Sequence, residues 1–371
     1  MYFTLHLTDR CNLRCEYCYS NCGNESGQFM TRETAFKVIE GCSEYDSVGI
    51  IFFGGEPLLC KDLIKEIIDY SKKIDCVFNF KMTTNGLLLD DETISFCKEN
   101  HIIVSLSIDG IKSAHDKHRK DFDGQPTYDK VVKVAGKLLL AMPYSTAMMT
   151  VNPDTVEYYC DSVKYLFELG FHYLICTLNY QADWNEKDMK VLKSEYEKLA
   201  KLYINWTEEE EKFYFSPFDA KISSHIMGEE YCKERCQLGK KQISVSPGGG
   251  LYPCIQFVNR SEYLIGNVET GIEKSLQSQL YEKNSKEAET CTDCAIRKRC
   301  NHNCGCINIA ATGNINKVSP VVCHNEQIIL PIADSIAENL YKKRNGMFIQ
   351  KQYNEMYSFI SLIEDNSEAN K

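Results

Sequence analysis

The chain has 371 residues, 43% of them hydrophobic and 25% charged, with a net charge of −10; this is the composition of a globular protein long enough for about two domains. The acidic balance gives no overall attraction for nucleic acid or an anionic membrane. No apolar run approaches the roughly 18 residues of a membrane span, and residues 1–10 lack a signal peptide, so a cytoplasmic protein with neither nucleic-acid nor membrane partner is expected.

Residues 2–7 read as a strand, followed by a Cys-rich loop. Thr31 caps a helix through residue 40. Residues 48–53 are a short apolar run ending at Gly54-Gly55, a buried strand, and 62–73 have helical periodicity. A strand over 78–83 ends at Asn85-Gly86, a helix over 91–99 has an acidic start, and a strand over 102–108 ends at Asp109-Gly110. A helix (128–142) and a strand (144–151) follow. Asn152-Pro153 then opens a helix that stops at Gly170, and 173–178 is a sixth strand.

Six strand–helix repeats imply an α/β fold with a parallel sheet. Six are too few for a closed eight-strand barrel, so a partial (β/α)6 barrel over 1–210 is expected, with its site at the carboxyl ends of the strands. Residues 186–206 form a long charged helix, and the acidic run 208–211 reads as solvated surface. A linker or bridging region (211–230) leads to a small Cys-rich domain (231–330). A C-terminal helix at 334–343 and a tail that frays after 364 complete 331–371.

There are 19 cysteines, an odd number that cannot all pair within one chain. Without an export signal, they read as metal or redox chemistry rather than disulfides. Four lie between Cys11 and Cys22 and nine between Cys232 and Cys323. The remaining six, Cys42, Cys60, Cys76, Cys97, Cys160 and Cys176, lie mostly on apolar patterns and read as buried thiols.

Cys11-x3-Cys15-x2-Cys18 puts three thiolates on one tight loop after the first strand. Such a loop can hold one face of an iron–sulfur cluster and leave a coordination position open. The plainer alternative is a zinc site or free thiols, although zinc usually takes paired Cys-x2-Cys motifs with a fourth ligand. Gly54-Gly55-Glu56-Pro57 closes the second strand. Ser105, Ser107 and Asp109 close the fourth, with both serines on one face. Those three and Asn85 serve equally as ligand contacts or as polar turn residues. The C-terminal set is Cys232-x3-Cys236, Gly249-x4-Cys254, Cys291-x2-Cys294-x5-Cys300-x3-Cys304 and Cys323. A zinc ribbon or disulfide mini-domain is its bland reading, but zinc cannot carry an electron.

Together these motifs resemble a radical S-adenosylmethionine (radical SAM) enzyme. In that family Cys-x3-Cys-x-aromatic-Cys, here with Tyr17 as the aromatic, binds a [4Fe–4S] cluster whose open iron chelates S-adenosylmethionine. The resemblance implies that Gly54 and Gly55 let backbone approach the methionine, that Glu56, before Pro57, accepts from its amino group, and that Asn85, Ser105, Ser107 and Asp109 are cofactor contacts. The later cysteines resemble the SPASM extension with two auxiliary [4Fe–4S] clusters, making three in all. The inner cluster would use Cys232, Cys236, Cys254 and Cys304, and the outer Cys291, Cys294, Cys300 and Cys323. Some relatives leave the inner iron open for a substrate thiolate, which would release Cys232. Cys22 and Cys306 stay unassigned.

The resemblance spans residues 2–326 and implies a maturase that modifies a peptide or protein through a 5′-deoxyadenosyl radical. An electron donor such as flavodoxin or ferredoxin would supply the electron that releases it. It singles out no further catalytic side chain. Anaerobic sulfatase maturases place an Asp base directly after the Cys matching Cys254, where this chain has Ile255. The stretch 252–258 is more similar to maturases that install thioether crosslinks in Cys-rich peptides. Formylglycine formation, carbon–carbon crosslinking or dehydrogenation, and a zinc-bound interaction module are the alternatives. Many relatives carry an N-terminal leader-binding domain. This chain opens on its first strand, so a separate leader-binding protein is expected to present the substrate, or the barrel to hold it.

Overall fold

The computed structural model describes residues 1–20, 27–228, 237–286, 288–357, 360–361 and 364–365. Cys22, Cys232 and Cys236 lie outside them. In chain order the strands are β1 (Tyr2–His6), β2 (Ser47–Phe53), β3 (Val77–Thr84), β4 (Ile103–Ser107), β5 (Thr146–Val151), β6 (Tyr173–Leu178), β7 (Tyr214–Phe215), β8 (Gln242–Val245), β9 (Gly250–Tyr252), β10 (Gly266–Asn267) and β11 (Gly271–Ile272). The helices are α1 (Arg32–Gly41), α2 (Lys61–Ser71), α3 (Asp91–Glu99), α4 (Lys112–His118), α5 (Tyr128–Ala141), α6 (Tyr159–Leu169), α7 (Glu186–Glu208), α8 (Ser216–Met227), α9 (Lys274–Ser285), α10 (Gly305–Thr312), α11 (Pro320–Lys342) and α12 (Gly346–Tyr353). None of the described helices is long and apolar enough to cross a membrane.

The chain divides into two compact units. The first comprises Met1–Ser107, Asp116–Lys137 and Cys236–Lys286, and the second Ile108–His115, Leu138–Arg235 and Glu287–Lys371.

In the first unit the strand order is β11-β10-β9-β8-β1-β2-β3-β4. β1 to β4 run parallel, β8 joins β1 in parallel, and β9, β10 and β11 continue antiparallel. One face is apolar: Leu5, Ile50, Phe52, Met82, Leu106 and Val245 are buried there. Thr31 starts α1 by accepting from the Thr34 N–H, and Asp90 does the same for α3.

The register Thr4↔Ile51, Ile51↔Lys81 and Thr83↔Ser105 puts a second set of side chains on the opposite face. With β8 beside β1 through Thr4↔Ser244, that face carries Thr4, His6, Lys81, Thr83, Ser105, Ser107, Gln242 and Ser244, among the apolar Tyr2, Ile51, Phe53 and Ile103. Parallel strands covered on both sides usually read as continuous apolar runs. This face, the more polar of the two, is therefore the side of the sheet suited to a ligand.

In the second unit β5, β6 and β7 run parallel. Helix α6 ends on Gly170, whose left-handed φ of 112° suits a residue without Cβ. Helix α7 opens on a reciprocal capping box between Asn185 and Asp188. Tyr159, Tyr196, Tyr203, Phe215 and Phe218 form a buried aromatic cluster.

Residues 214–227, within the stretch expected as linker, hold β7 and α8. The expected helix at 334–343 is the last part of α11, which begins at Pro320 and contains Pro331. An interior proline costs one helical hydrogen bond. The burial of Val322, Ile329, Leu330, Ala333, Ile336, Ala337 and Leu340 along one side offsets it. The acidic run after Thr207 is exposed, as expected. Of the six scattered cysteines, five are buried and Cys76 is half-buried.

Candidate active site

The loop that follows β1 is tied at its base and along its outer limb. Thr8 donates its hydroxyl to the Gln28 carbonyl at 2.8 Å and accepts from the Arg10 N–H at 3.0 Å. Arg10 Nε donates to the Gly27 carbonyl at 2.9 Å. Further on, the N–H groups of Arg14 and Glu16 donate to the carbonyls of Lys120 and His118 at 2.8 and 3.1 Å. The Glu16 carboxylate meets His118 Nδ1 at 3.0 Å and Lys120 Nζ at 3.1 Å. Tyr17 rests on this same segment, 5.7 Å from the His118 ring and with the Arg119 guanidinium 5.3 Å above its own.

Cys11, Cys15 and Cys18 lie half-buried on this strapped loop, outside any disulfide. Burial, joined by Glu56, Cys15 and Cys18, pushes the Cys11 thiol up to about 12 against a lowering hydrogen bond from Leu13. Its Sγ accepts from the Leu13 N–H at 3.4 Å and from Asn85 Nδ2 at 3.7 Å. Three thiols on one loop, with N–H donors already aimed at one sulfur, fit a cluster-binding site. Such hydrogen bonds to sulfur tune a cluster. Among the described residues no three His, Cys, Asp or Glu side chains gather around a point that could hold a single metal ion. A cubane does not ask for that geometry, because each thiolate binds a different iron.

The Gly54-Gly55 turn lies directly against the thiol loop. The Gly55 and Glu56 N–H groups donate to the Thr8 and Arg10 carbonyls at 2.8 and 2.9 Å. A Cβ on Gly55 would sit 2.0 Å from the Arg10 oxygen. One on Gly54, at φ +129°, would sit 2.4 Å from the Thr8 oxygen. The two glycines thus have a role within the chain itself, the close approach of one backbone to another.

Glu56 is fully buried. One carboxylate oxygen accepts from the Leu58 N–H at 3.1 Å and the Thr84 hydroxyl at 2.7 Å, and the other from the Asn85 N–H at 2.8 Å. Burial outweighs these donors and pushes its pKa up to about 7. Pro57, also buried, opens the short turn that Glu56 caps. The Asn85 side chain continues the chain of bonds to Asn12 Oδ1 at 2.7 Å.

Ser105 and Ser107 stand half-buried on the polar face of β4. That face also holds a group the sequence reading passed over. His6, at the carboxyl end of β1, is 3% exposed, and its Nε2 has no partner. Burial lowers its pKa to about 3, so the imidazole is neutral. The signal was present in the sequence as the alternation Thr4, His6, Thr8. Cys254 caps a short turn beginning at Ile255, and both are half-buried.

Asp109 belongs to the second unit. It is buried, and its carboxylate accepts from the Thr150 N–H at 2.9 Å. Cys291, Cys294, Cys300, Cys304 and Cys323 are also in that unit, all half-buried free thiols. Cys304 caps α10, and its Sγ lies 3.5 Å from that of Cys306, which the sequence reading left unassigned. Burial pushes the Cys300 thiol up to about 12. Cys323 sits in the first turns of α11 and accepts from Gln327 Nε2 at 3.6 Å.

Comparison with known proteins accounts for both parts. Residues 5–166 match the model of the radical SAM superfamily, and residues 236–305 match SPASM, an iron–sulfur cluster-binding domain. The serine-type anaerobic sulfatase-maturating enzyme of Bacteroides thetaiotaomicron is 26% identical over 337 residues, covering 79% of this chain and 80% of that one. The solved structure of native anSMEcpe with bound AdoMet and Cp18Cys peptide matches with a TM-score of 0.76 at 19% identity, over 91% of this chain and 99% of that one. Streptococcus suis SuiB bound to precursor peptide SuiA matches with a TM-score of 0.61 at 15% identity, over 87% and 75%. At these identities the two structures show a shared fold. The cofactors that go with the two matched domains are S-adenosylmethionine and [4Fe–4S] clusters.

Proposed function

We propose that this chain, an enzyme with a radical SAM domain followed by a SPASM domain, is a maturase that forms a thioether crosslink in a Cys-containing peptide. The observation that carries the maturase reading is the three-thiol loop held by backbone hydrogen bonds against Gly54, Gly55 and Glu56. Bound there, S-adenosylmethionine and the cluster supply one-electron chemistry that removes a hydrogen atom from an unactivated carbon.

The protein's own contribution is placement and exclusion of water. Cys11, Cys15 and Cys18 would hold the cluster. Asn85 positions Cys11 through its amide, and Glu56 positions Asn85 through its N–H. Ser105 and Ser107 offer hydroxyls on the polar sheet face. Of the SPASM cysteines, Cys254, Cys291, Cys294, Cys300, Cys304 and Cys323, with Cys232 and Cys236, are proposed to hold two further clusters. Flavodoxin or ferredoxin is the proposed reductant.

Ile255 supports the thioether over formylglycine. It directly follows Cys254, and its apolar side chain cannot take a proton. Joining sulfur to carbon replaces one S–H and one C–H bond, so the peptide loses two hydrogens: one would leave as the atom taken by the radical from S-adenosylmethionine, the other as the thiol proton, with the remaining electron left for an auxiliary cluster to accept. A second reading, sulfatase maturation, is favoured by the likeness to the Bacteroides enzyme over four-fifths of both chains.

Mass spectrometry of a Cys-containing peptide after incubation with enzyme, dithionite and S-adenosylmethionine tests the reading. The peptide should become about 2 Da lighter per bridge, resist reductants and lose one iodoacetamide-reactive thiol. A lighter peptide with all thiols still alkylated points to carbon–carbon bonding or dehydrogenation. Formylglycine in a coexpressed sulfatase, with the peptide unchanged, replaces the thioether reading by the second.

A further inference from the structure

A buried charge pair lies beside the thiols of the second unit. Lys221 on α8 donates to both oxygens of Glu326 on α11 at 2.6 Å, and the two side chains are 5% and 1% exposed. A buried ion pair is weak evidence for stability, because apolar residues of like volume often serve as well or better. Its surroundings suggest another use.

Arg299, the residue before Cys300, donates to the Lys221 carbonyl at 3.3 Å and to the Ser224 hydroxyl at 3.2 Å. The same guanidinium forks onto Asp334 of α11 at 2.8 and 2.5 Å. The Cys300 loop is thereby anchored to α8 beside Lys221 and to α11, where Cys323 and Glu326 are one turn apart. The pair thus joins α11, which carries Cys323, to α8, the helix that anchors the Cys300 loop.

We propose that the Lys221–Glu326 pair sets the reduction potential of the [4Fe–4S] cluster held by Cys300 and Cys323. This rests on reading those cysteines as cluster ligands. Reduction adds one electron, [4Fe–4S]2+ to [4Fe–4S]+, and so one negative charge. A fixed carboxylate nearby opposes that change and an ammonium favours it, more strongly in the interior than in water. Glu326, one turn from Cys323 on the same helix, poises the cluster toward its oxidised form, and Lys221 limits the effect. Both are positioning residues for electron transfer and touch no reacting atom of the peptide.

The test is an EPR-monitored redox titration of reconstituted full-length protein in which Cys11, Cys15 and Cys18 are all changed to Ala, leaving the auxiliary clusters to report. Glu326→Gln should raise the potential and Lys221→Met should lower it. Each should change the reduced-to-oxidised ratio at fixed potential by roughly tenfold, which is about 59 mV for a one-electron couple. The double variant leaves no unpaired charge, keeps its iron if either single variant loses it, and should titrate above the parent. Single variants that both shift the same way, or a double variant at the parental potential with iron unchanged, would overturn the inference alone. A Cys11/Cys15/Cys18 parent without iron would overturn the cluster reading beneath it.

Discussion

The Asn85 N–H donates to the Glu56 carboxylate at 2.8 Å while its side-chain amide reaches Cys11 Sγ at 3.7 Å, so one residue links the second signature to the thiol loop. Glu56→Ala removes the acceptor for three donors: the Leu58 and Asn85 N–H groups and the Thr84 hydroxyl. Stranding buried donors costs about 1–3 kcal/mol each at most sites. A loss of several kcal/mol in urea denaturation is expected, together with weaker binding of S-adenosylmethionine by isothermal calorimetry. Full stability in this variant would contradict the bridging role.

The same carboxyl gives a pH signature. Its folded pKa, about 7, lies above the ordinary 4.5. The folded state therefore holds a proton that the unfolded state releases, and this contribution is present below 4.5 and lost as pH rises through 7. The stability difference between wild type and Glu56→Gln should shrink from pH 5 to pH 8, by at most about 1.4 kcal/mol per pH unit. A difference that grows over that range would show the carboxylate, not the acid, to be the native form.

Gly55→Ala should damage the thiol loop and little else, because its Cβ would sit 2.0 Å from the Arg10 carbonyl oxygen. Neither backbone can move without breaking the Glu56 N–H bond to that oxygen. Iron analysis should show loss of about a third of the metal, four atoms of about twelve. Changing Cys11, Cys15 and Cys18 together to Ala should remove the same third. Wild-type protein with about four irons in all would refute the auxiliary clusters.

The strands, the thiol loop and the Gly-Gly-Glu-Pro turn were legible in the sequence because their signals are local: alternation, spacing and turn residues. The reason for the glycines was less so, since it depends on the Thr8 and Arg10 carbonyls more than forty residues away in the chain. Pro331 concealed most of α11, because a proline inside an apolar periodicity reads as a break until the packing that offsets it is known. The Lys221–Glu326 pair joins residues 105 apart, and nothing in either neighbourhood announces the other. His6 was visible only as a polar residue on a strand. The lack of a hydrogen-bond partner at its Nε2 is a property of the packed sheet.

Asp219 supplies the last prediction, which concerns folding and not catalysis. Its carboxylate accepts from the Tyr203 hydroxyl at 2.6 Å, the Phe215 N–H at 2.7 Å, Lys351 Nζ at 3.0 Å and Gln352 Nε2 at 2.9 Å. One side chain on α8 thus joins α7 and α12, and the C-terminal helix has a buried polar anchor. Burial lowers the Lys351 pKa, while Asp219 opposes that shift. Asp219→Ala leaves Lys351 as an unpaired buried cation and should destabilise the protein by about 3–5 kcal/mol. Lys351→Met leaves the carboxylate its three other donors and should cost less. With the cation gone, Asp219→Ala added to Lys351→Met should cost less than it does alone. A double-mutant cycle in urea that shows simple additivity would mean that the pair acts as two independent contacts, and that α12 is held by its apolar face, centred on Phe348, alone.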